Sequence, residues 1–223
     1  MNTKKTSTRK QVKIRWILVD IGDVLLIKNN PWTNFRQLLA QELGVDIELA
    51  QQINRAHFST MDIKYISEED FINTLKADLN YDAPKDIFDA FSRAYEKQSR
   101  PNTPLFKFLD EIRKSGIKTA ILSNTIAIYQ KNHEQLGISE QSGFDPILYS
   151  WREEMKKPDE RFFKLALERL GANPSEVIFV DDKLKNIRAA NRLGMNGILF
   201  NLEHTERAIE RISNLIRKNN AEK

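Results

Sequence analysis

Ile14-Arg15-Trp16-Ile17-Leu18-Val19-Asp20-Ile21-Gly22-Asp23-Val24-Leu25-Leu26 is the stretch whose reading decides the fold. An apolar run ends on a carboxylate and passes into a turn containing glycine, which presents Asp20 at the C-terminal end of a strand. In open α/β sheets ligands bind outside the carboxyl ends of parallel strands. An acid at that edge points to chemistry more than to packing.

Working outward, further short apolar runs follow long helical stretches at Lys118 to Ser123, Asp145 to Ser150, Val177 to Asp181 and Gly197 to Asn201. That alternation predicts parallel βαβ units. Helical patterns lie between them at Ala127 to Leu136, Glu160 to Leu170 and Leu184 to Leu193, with Gly137, Gly171 and Gly194 as C-caps. From Asn30 to about Arg100 the pattern changes to helix after helix without a strand. Phe35, Leu38, Leu39 and Leu43 form one apolar stripe closed by Gly44, and Ser67 reads as an N-cap before Phe71, Leu75 and Leu79. Pro84 opens another helix with Ile87, Phe88, Phe91 and Tyr95 turned inward. The fold class expected is therefore α/β, a Rossmann-like parallel sheet with an inserted α-helical domain. Residues 14–29 and 101–218 make the core, and residues 30–100 the helical insertion.

Composition narrows the function. The chain of 223 residues is 40% hydrophobic and 30% charged, as in ordinary soluble domains, and contains no cysteine. Disulfides, thiolate metal sites and cysteine nucleophiles are thereby excluded, and the expected compartment is the cytoplasm. Lys4, Lys5, Arg9, Lys10 and Lys13 carry five positive charges; against a formal net charge of +4, the rest of the chain stands near −1. Residues 1–13 read as a disordered basic tail, and nothing in the remainder suggests a nucleic-acid surface. No apolar run approaches the roughly 20 residues of a membrane helix, so no membrane partner is expected. The helix from about Glu203 to Lys218 packs on the sheet by its apolar side, leaving monomer and homodimer both open. His133 and His204 fall in surface helical patterns, whereas Trp32 and His57 are candidates to face the cleft.

Four strand ends each carry a polar residue of a different kind: Asp20, Ser123 before Asn124, Lys157 before Pro158-Asp159, and Asp181-Asp182. A serine-asparagine pair alone reads as a turn, and Lys-Pro-Asp alone as a helix boundary. Two adjacent acids cost stability unless a cation or hydrogen bonds compensate them. In this order and spacing the set resembles the four motifs of the haloacid dehalogenase-like (HAD) hydrolase superfamily, over roughly Trp16 to Phe200. The stretch from Asn186 through Arg192-Leu193-Gly194-Met195 is also typical of the family's last motif helix.

The resemblance implies a phosphatase with a type-one helical cap, forming an aspartyl-phosphate on Asp20. Ser123 and Asn124 would bind the phosphoryl group, and Lys157 would neutralise it and the nucleophile. Mg2+ would be held by Asp20, the Gly22 carbonyl and Asp182, with Asp181 and Asn186 behind them. The substrate would be a small phosphorylated metabolite such as a sugar phosphate, selected through the turn from Phe58 to Tyr65. One position departs from the pattern. The second aspartate expected two residues after the nucleophile is Gly22, and Asp23 is a possible substitute as acid and base. Loss of that proton transfer costs about 3–5 kcal/mol of barrier and is felt least with good leaving groups. Two other readings stay open: a non-catalytic or very slow protein binding a phosphometabolite or a partner, and a 2-haloacid dehalogenase.

Overall fold

The computed structural model describes residues 12–29, 34–61 and 63–220, with the side chains of 58–61 outside the described set. Strand β1 (Trp16–Val19) is buried along its whole length, and β2 (Leu26–Lys28) follows the Asp20 turn. Four helices come next: α1 (Phe35–Leu43), α2 (Ile47–Met61), α3 (Glu68–Leu79) and α4 (Ile87–Gln98). The chain returns through β3 (Ser99–Pro101), α5 (Thr103–Lys114), β4 (Lys118–Ser123), α6 (Gln130–Gln135) and β5 (Phe144–Tyr149). It ends with α7 (Ser150–Glu153), α8 (Glu160–Leu170), β6 (Val177–Asp181), α9 (Leu184–Arg192), β7 (Asn196–Leu199) and α10 (Thr205–Asn220).

The main sheet is parallel throughout and ordered β5-β4-β1-β6-β7. Strand β1 is central, with β4 on one side and β6 on the other, so the order reverses at β1. That reversal opens a crevice at the carboxyl end of β1, where Asp20 lies. One hydrophobic cluster joins Ile17, Val19, Ile121 and Val180 to α5 and α10, and a second joins Leu18, Leu122 and Phe179 to α8 and α9. The sheet is thus covered on both faces, which is why its strands are near-continuously apolar.

Helices α1 to α4 build a separate apolar cluster from Leu39, Ile53, Phe71, Leu75, Ile87 and Phe91. Their ends follow local chemistry: Asn34 and Gln37 form a reciprocal capping box on α1, and the Ser67 side chain accepts from Asp70 N on α3. Gly44 closes α1 at φ 65°, a left-handed conformation that costs glycine little.

The structure corrects several local expectations. Strands β2 and β3 pair antiparallel, Leu26 opposite Pro101 and Lys28 opposite Ser99, so a two-stranded ribbon stands where uninterrupted helix was expected up to Arg100. Pro84 lies before α4 and not within its first turn; the helix starts at Ile87 after Asp86. The backbone expected to turn from Phe58 remains helical to Met61. The side chains of Phe58 and Met61, Trp32 and the tail to Gln11 lie outside the described residues.

Both inner histidines differ from expectation. His57 is completely buried among Phe71, Phe88, Phe91 and Tyr129, away from the cleft, and His133 is only 1% exposed because α4 packs over α6. His204 is exposed. Burial lowers the pKa of both His57 and His133 from 6.5 to about 3. The unfolded chain therefore takes up protons below pH 6.5 that the folded chain refuses until about pH 3. Their stabilising neutral form contributes fully above pH 6.5 and is lost as pH falls. At pH 5 each histidine is expected to remove about 2 kcal/mol of stability relative to pH 7.5. Urea midpoints across that range check this, and His57→Gln should lower the slope by about one proton.

Candidate active site

Asp20 follows the last paired residue of β1, with its N–H donating to Val180 O at 3.0 Å, so the neighbouring strand fixes its backbone. Its Oδ1 accepts from Ile21 N at 2.8 Å and lies 2.9 Å from Lys157 Nζ. The same ammonium donates to Asp181 Oδ2 at 2.7 Å, and Lys157 is 2% exposed. One buried lysine thus joins acids from the ends of two adjacent strands.

Lys157 reaches this point from a loop. Strand β5 ends at Tyr149, α7 intervenes, and the lysine follows, so the expected placement at a strand end is incorrect. The loop is held by Asn124, whose Nδ2 donates to Lys157 O at 2.9 Å while its Oδ1 accepts from Lys157 N at 2.8 Å. Asn124 was expected to meet a ligand, but its amide is engaged with the lysine's backbone. Ser150 secures the preceding turn, its Oγ accepting from Thr125 N and donating to Thr125 O, both at 3.0 Å. Ser123, 2% exposed, closes β4 beside β1.

Asp181 is fully buried. Asn186 Nδ2 donates to its Oδ1 at 2.9 Å and its Oδ2 at 3.0 Å, and Lys183 N donates to Oδ1 at 2.8 Å. Burial nonetheless pushes its carboxyl pKa up, against the pull of Lys157. Asp182 is less well compensated: its buried Oδ1 has no hydrogen-bond partner, and Lys183 Nζ stands 4.0 Å away. Burial raises its pKa to about 6. Oxygens of Asp20, Asp181 and Asp182 all lie within 4.8 Å of one another. Three acids against the Lys157 and Lys183 ammoniums leave an excess of negative charge, and the unpartnered oxygen gives a cation a place to bind. A hard divalent cation fits this all-oxygen set.

Gly22 is exposed, its φ is not in the left-handed region, and a Cβ there would meet nothing within 4 Å. Alanine is therefore tolerated at this position. Gly22→Ala is expected to gain about 0.4–1 kcal/mol, read from the urea midpoint, because it restricts the unfolded chain. Asp23 is exposed at φ 54°, a strained conformation for a non-glycine residue. It lines a cavity of about 140 Å3 together with Gly22, Tyr95 and Ser99. Above the cleft, Tyr65 of the α2–α3 connection is 62% exposed and its ring lies 6.5 Å from that of Trp151 in α7.

Residues 14–194 match the family model described as haloacid dehalogenase-like hydrolase. The chain belongs to the haloacid dehalogenase-like hydrolases. Among its relatives, a glyceraldehyde 3-phosphate phosphatase of Methanocaldococcus jannaschii is 27% identical over 192 residues, 82% of each chain. Drimenol cyclase drtB of Aspergillus calidoustus is 28% identical over 84% of this chain, and mouse acyl-CoA dehydrogenase family member 10 is 33% identical over 48%. This chain spans only 34% and 10% of the length of those two proteins. In fold, a HAD family enzyme of Bacteroides thetaiotaomicron in complex with magnesium and inorganic phosphate superposes with a TM-score of 0.69. It is 20% identical, over 85% of this chain and 95% of that one. The L-2-haloacid dehalogenase of Xanthobacter autotrophicus superposes at 0.57 with 20% identity, over 91% and 84%. The hydrolase assignment thus rests on the family match, and these structures speak for the fold. Among the described residues, no helix is long and apolar enough to cross a membrane.

Proposed function

We propose that this hydrolase is a Mg2+-dependent phosphatase acting on a small phosphorylated metabolite, with Asp20 as the nucleophile. The observation that carries the reading is the excess of buried acid beside the Asp20–Lys157 pair, ending in the unpartnered Oδ1 of Asp182. Such a site repels a bare halocarboxylate and suits a phosphate accompanied by a cation. The relatives include phosphatases, which supports the same choice.

In this reading Asp20, the Gly22 carbonyl and Asp182 hold Mg2+, which when bound offsets charge on the phosphoryl oxygens. Asp20 attacks phosphorus, the bond to the leaving oxygen breaks, and water then hydrolyses the acyl phosphate. Lys157 orients the Asp20 carboxylate and balances the charge on the transferring group. Ser123 donates its hydroxyl to a phosphoryl oxygen, Asn124 holds the lysine loop, and Asp181, aligned by Asn186, keeps the ammonium aimed at Asp20. Residues 30–100 act as a cap that limits access, with Tyr65 and Trp151 facing one another at its edge. Position 22 offers no carboxylate to protonate the leaving oxygen directly, and substrates with good leaving groups, such as sugar 1-phosphates, acyl phosphates and aryl phosphates, depend on that proton least.

Phosphate release from sugar phosphates, nucleotides and an aryl phosphate, with Mg2+ and with a chelator, tests the reading. Release is expected with Mg2+ and should fall to background in chelator. Halide release from 2-haloacids without metal would establish a dehalogenase instead, and no release of either kind would favour a binding protein.

A further inference from the structure

A buried polar chain runs beside the Asp20 turn. Tyr95 Oη lies 3.0 Å from His133 Nε2, and His133 Nδ1 lies 3.3 Å from Tyr149 Oη. The three residues come from α4 of the insertion, from α6, and from the last position of β5. Its two ends meet different cavities. Tyr95 lines the cavity of about 140 Å3 that also holds Gly22 and Asp23, whereas Tyr149, 2% exposed, lines an outer one of about 290 Å3 with Gln130, Glu134 and Arg152.

We propose that Tyr95, His133 and Tyr149 conduct protons between the cavity at Gly22 and the outer cavity, replacing the carboxylate that position 22 lacks. The inference rests on the phosphatase reading above. The inner cavity has room for water beside Tyr95 and Gly22, two residues along the chain from Asp20.

One turnover needs one proton moved inward and one moved outward. Starting with the proton on His133 Nε2, Tyr95 gives its hydroxyl proton through the inner cavity to the leaving oxygen as the P–O bond breaks. It recovers one from Nε2, while Nδ1 takes the Tyr149 proton and Tyr149 takes one from solvent. When water attacks the acyl phosphate, its proton follows the reverse path and leaves through Tyr149. The starting tautomer is restored and no net proton is kept. Neutral carriers suit this exchange. Burial holds the His133 pKa down to about 3 and pushes Tyr149 up to about 12, so neither imidazolium nor tyrosinate accumulates near neutrality.

The same contacts also dock α4 on α6, together with the Tyr95–Tyr129 ring stack at 4.2 Å and the Ser92–Asn132 hydrogen bond at 2.8 Å. A purely structural latch would weaken the fold without regard to the leaving group. Tyr95→Phe and Tyr149→Phe distinguish the two, because each keeps its ring and removes one proton carrier. With Mg2+ present, single-turnover release of ethanol from ethyl phosphate is expected to slow by about 10²-fold in each variant, whereas that of p-nitrophenol from p-nitrophenyl phosphate, whose leaving group needs no proton, changes less than about twofold. Equal losses on both esters, or no loss on either, would overturn the conduit.

A second measurement needs no turnover. In the metal-free protein, nitrogen NMR of His133 should show both tautomers, and exchange of its ring proton with water should slow by about tenfold or more in Tyr149→Phe. One fixed tautomer with an unchanged exchange rate would overturn the proposal. Wild-type protein that releases phosphate from neither ester would defeat the phosphatase reading, and the NMR result would then decide the conduit by itself.

Discussion

Asp20→Asn is expected to lower phosphate release by at least about 10⁴-fold while leaving the fold intact, because a carboxamide cannot form the acyl phosphate. Asparagine is nearly the same size and keeps an oxygen for Ile21 N and Lys157 Nζ, the two groups that Asp20 Oδ1 meets. It also removes one of three crowded negative charges. Stability in chelator should therefore stay within about 1 kcal/mol of wild type. Steady-state phosphate release and the urea midpoint, measured on the same preparation, separate the two effects. Residual turnover above one part in a hundred would show that another group attacks phosphorus.

Lys157→Met should produce the largest loss of stability. It leaves Asp20 and Asp181, 4% and 0% exposed, without the ammonium that lies 2.9 and 2.7 Å from them. Breaking a buried ion pair from one side costs about 3–5 kcal/mol, because the remaining charge is stranded in a poorly polarisable space. Asp181 still has Asn186 and the Lys183 N–H, so the cost falls mainly on Asp20. Adding Asp20→Asn, which removes the stranded charge, should recover a substantial part of the loss, a coupling that a double-mutant cycle in chelator measures directly. A shift below about 1 kcal/mol for the single variant would mean that solvent reaches the acids after all.

The five strands of the main sheet were legible because each is a short apolar run, buried on both faces in β1, β4 and β6 and partly buried in the edge strands β5 and β7, that leaves a local trace. Asp20, Ser123 and Asp181-Asp182 were legible for the same reason, since each marks where such a run stops. Lys157 was harder to place because the four-residue helix α7 separates it from β5. What escaped depends on contacts between distant segments. His133 sits between Lys131-Asn132 and Glu134-Gln135, letters of an exposed helix, and only the arrival of α4 buries it. Ser99-Arg100-Pro101 has no strand periodicity and pairs only because Leu26 to Lys28 lies alongside. Asn124 reads as a turn residue, and its hold on Lys157 spans 33 positions. Tyr95 and Tyr149 belong to different elements, and no spacing in the sequence joins them through His133.

The ribbon of β2 and β3 changes how the insertion should be counted as a problem of chain folding. Lys28 and Ser99 are paired neighbours although 71 positions separate them, so the helices between them are topologically one oversized hairpin loop. Closing a loop costs free energy that grows only logarithmically with its length. A ribbon of three paired residues on each side fixes where the chain leaves the sheet and where it returns. The Rossmann-like framework therefore meets the same boundary condition whatever helices occupy the interval, and the insertion can lengthen, shorten or change sequence while β1 and β4 remain side by side.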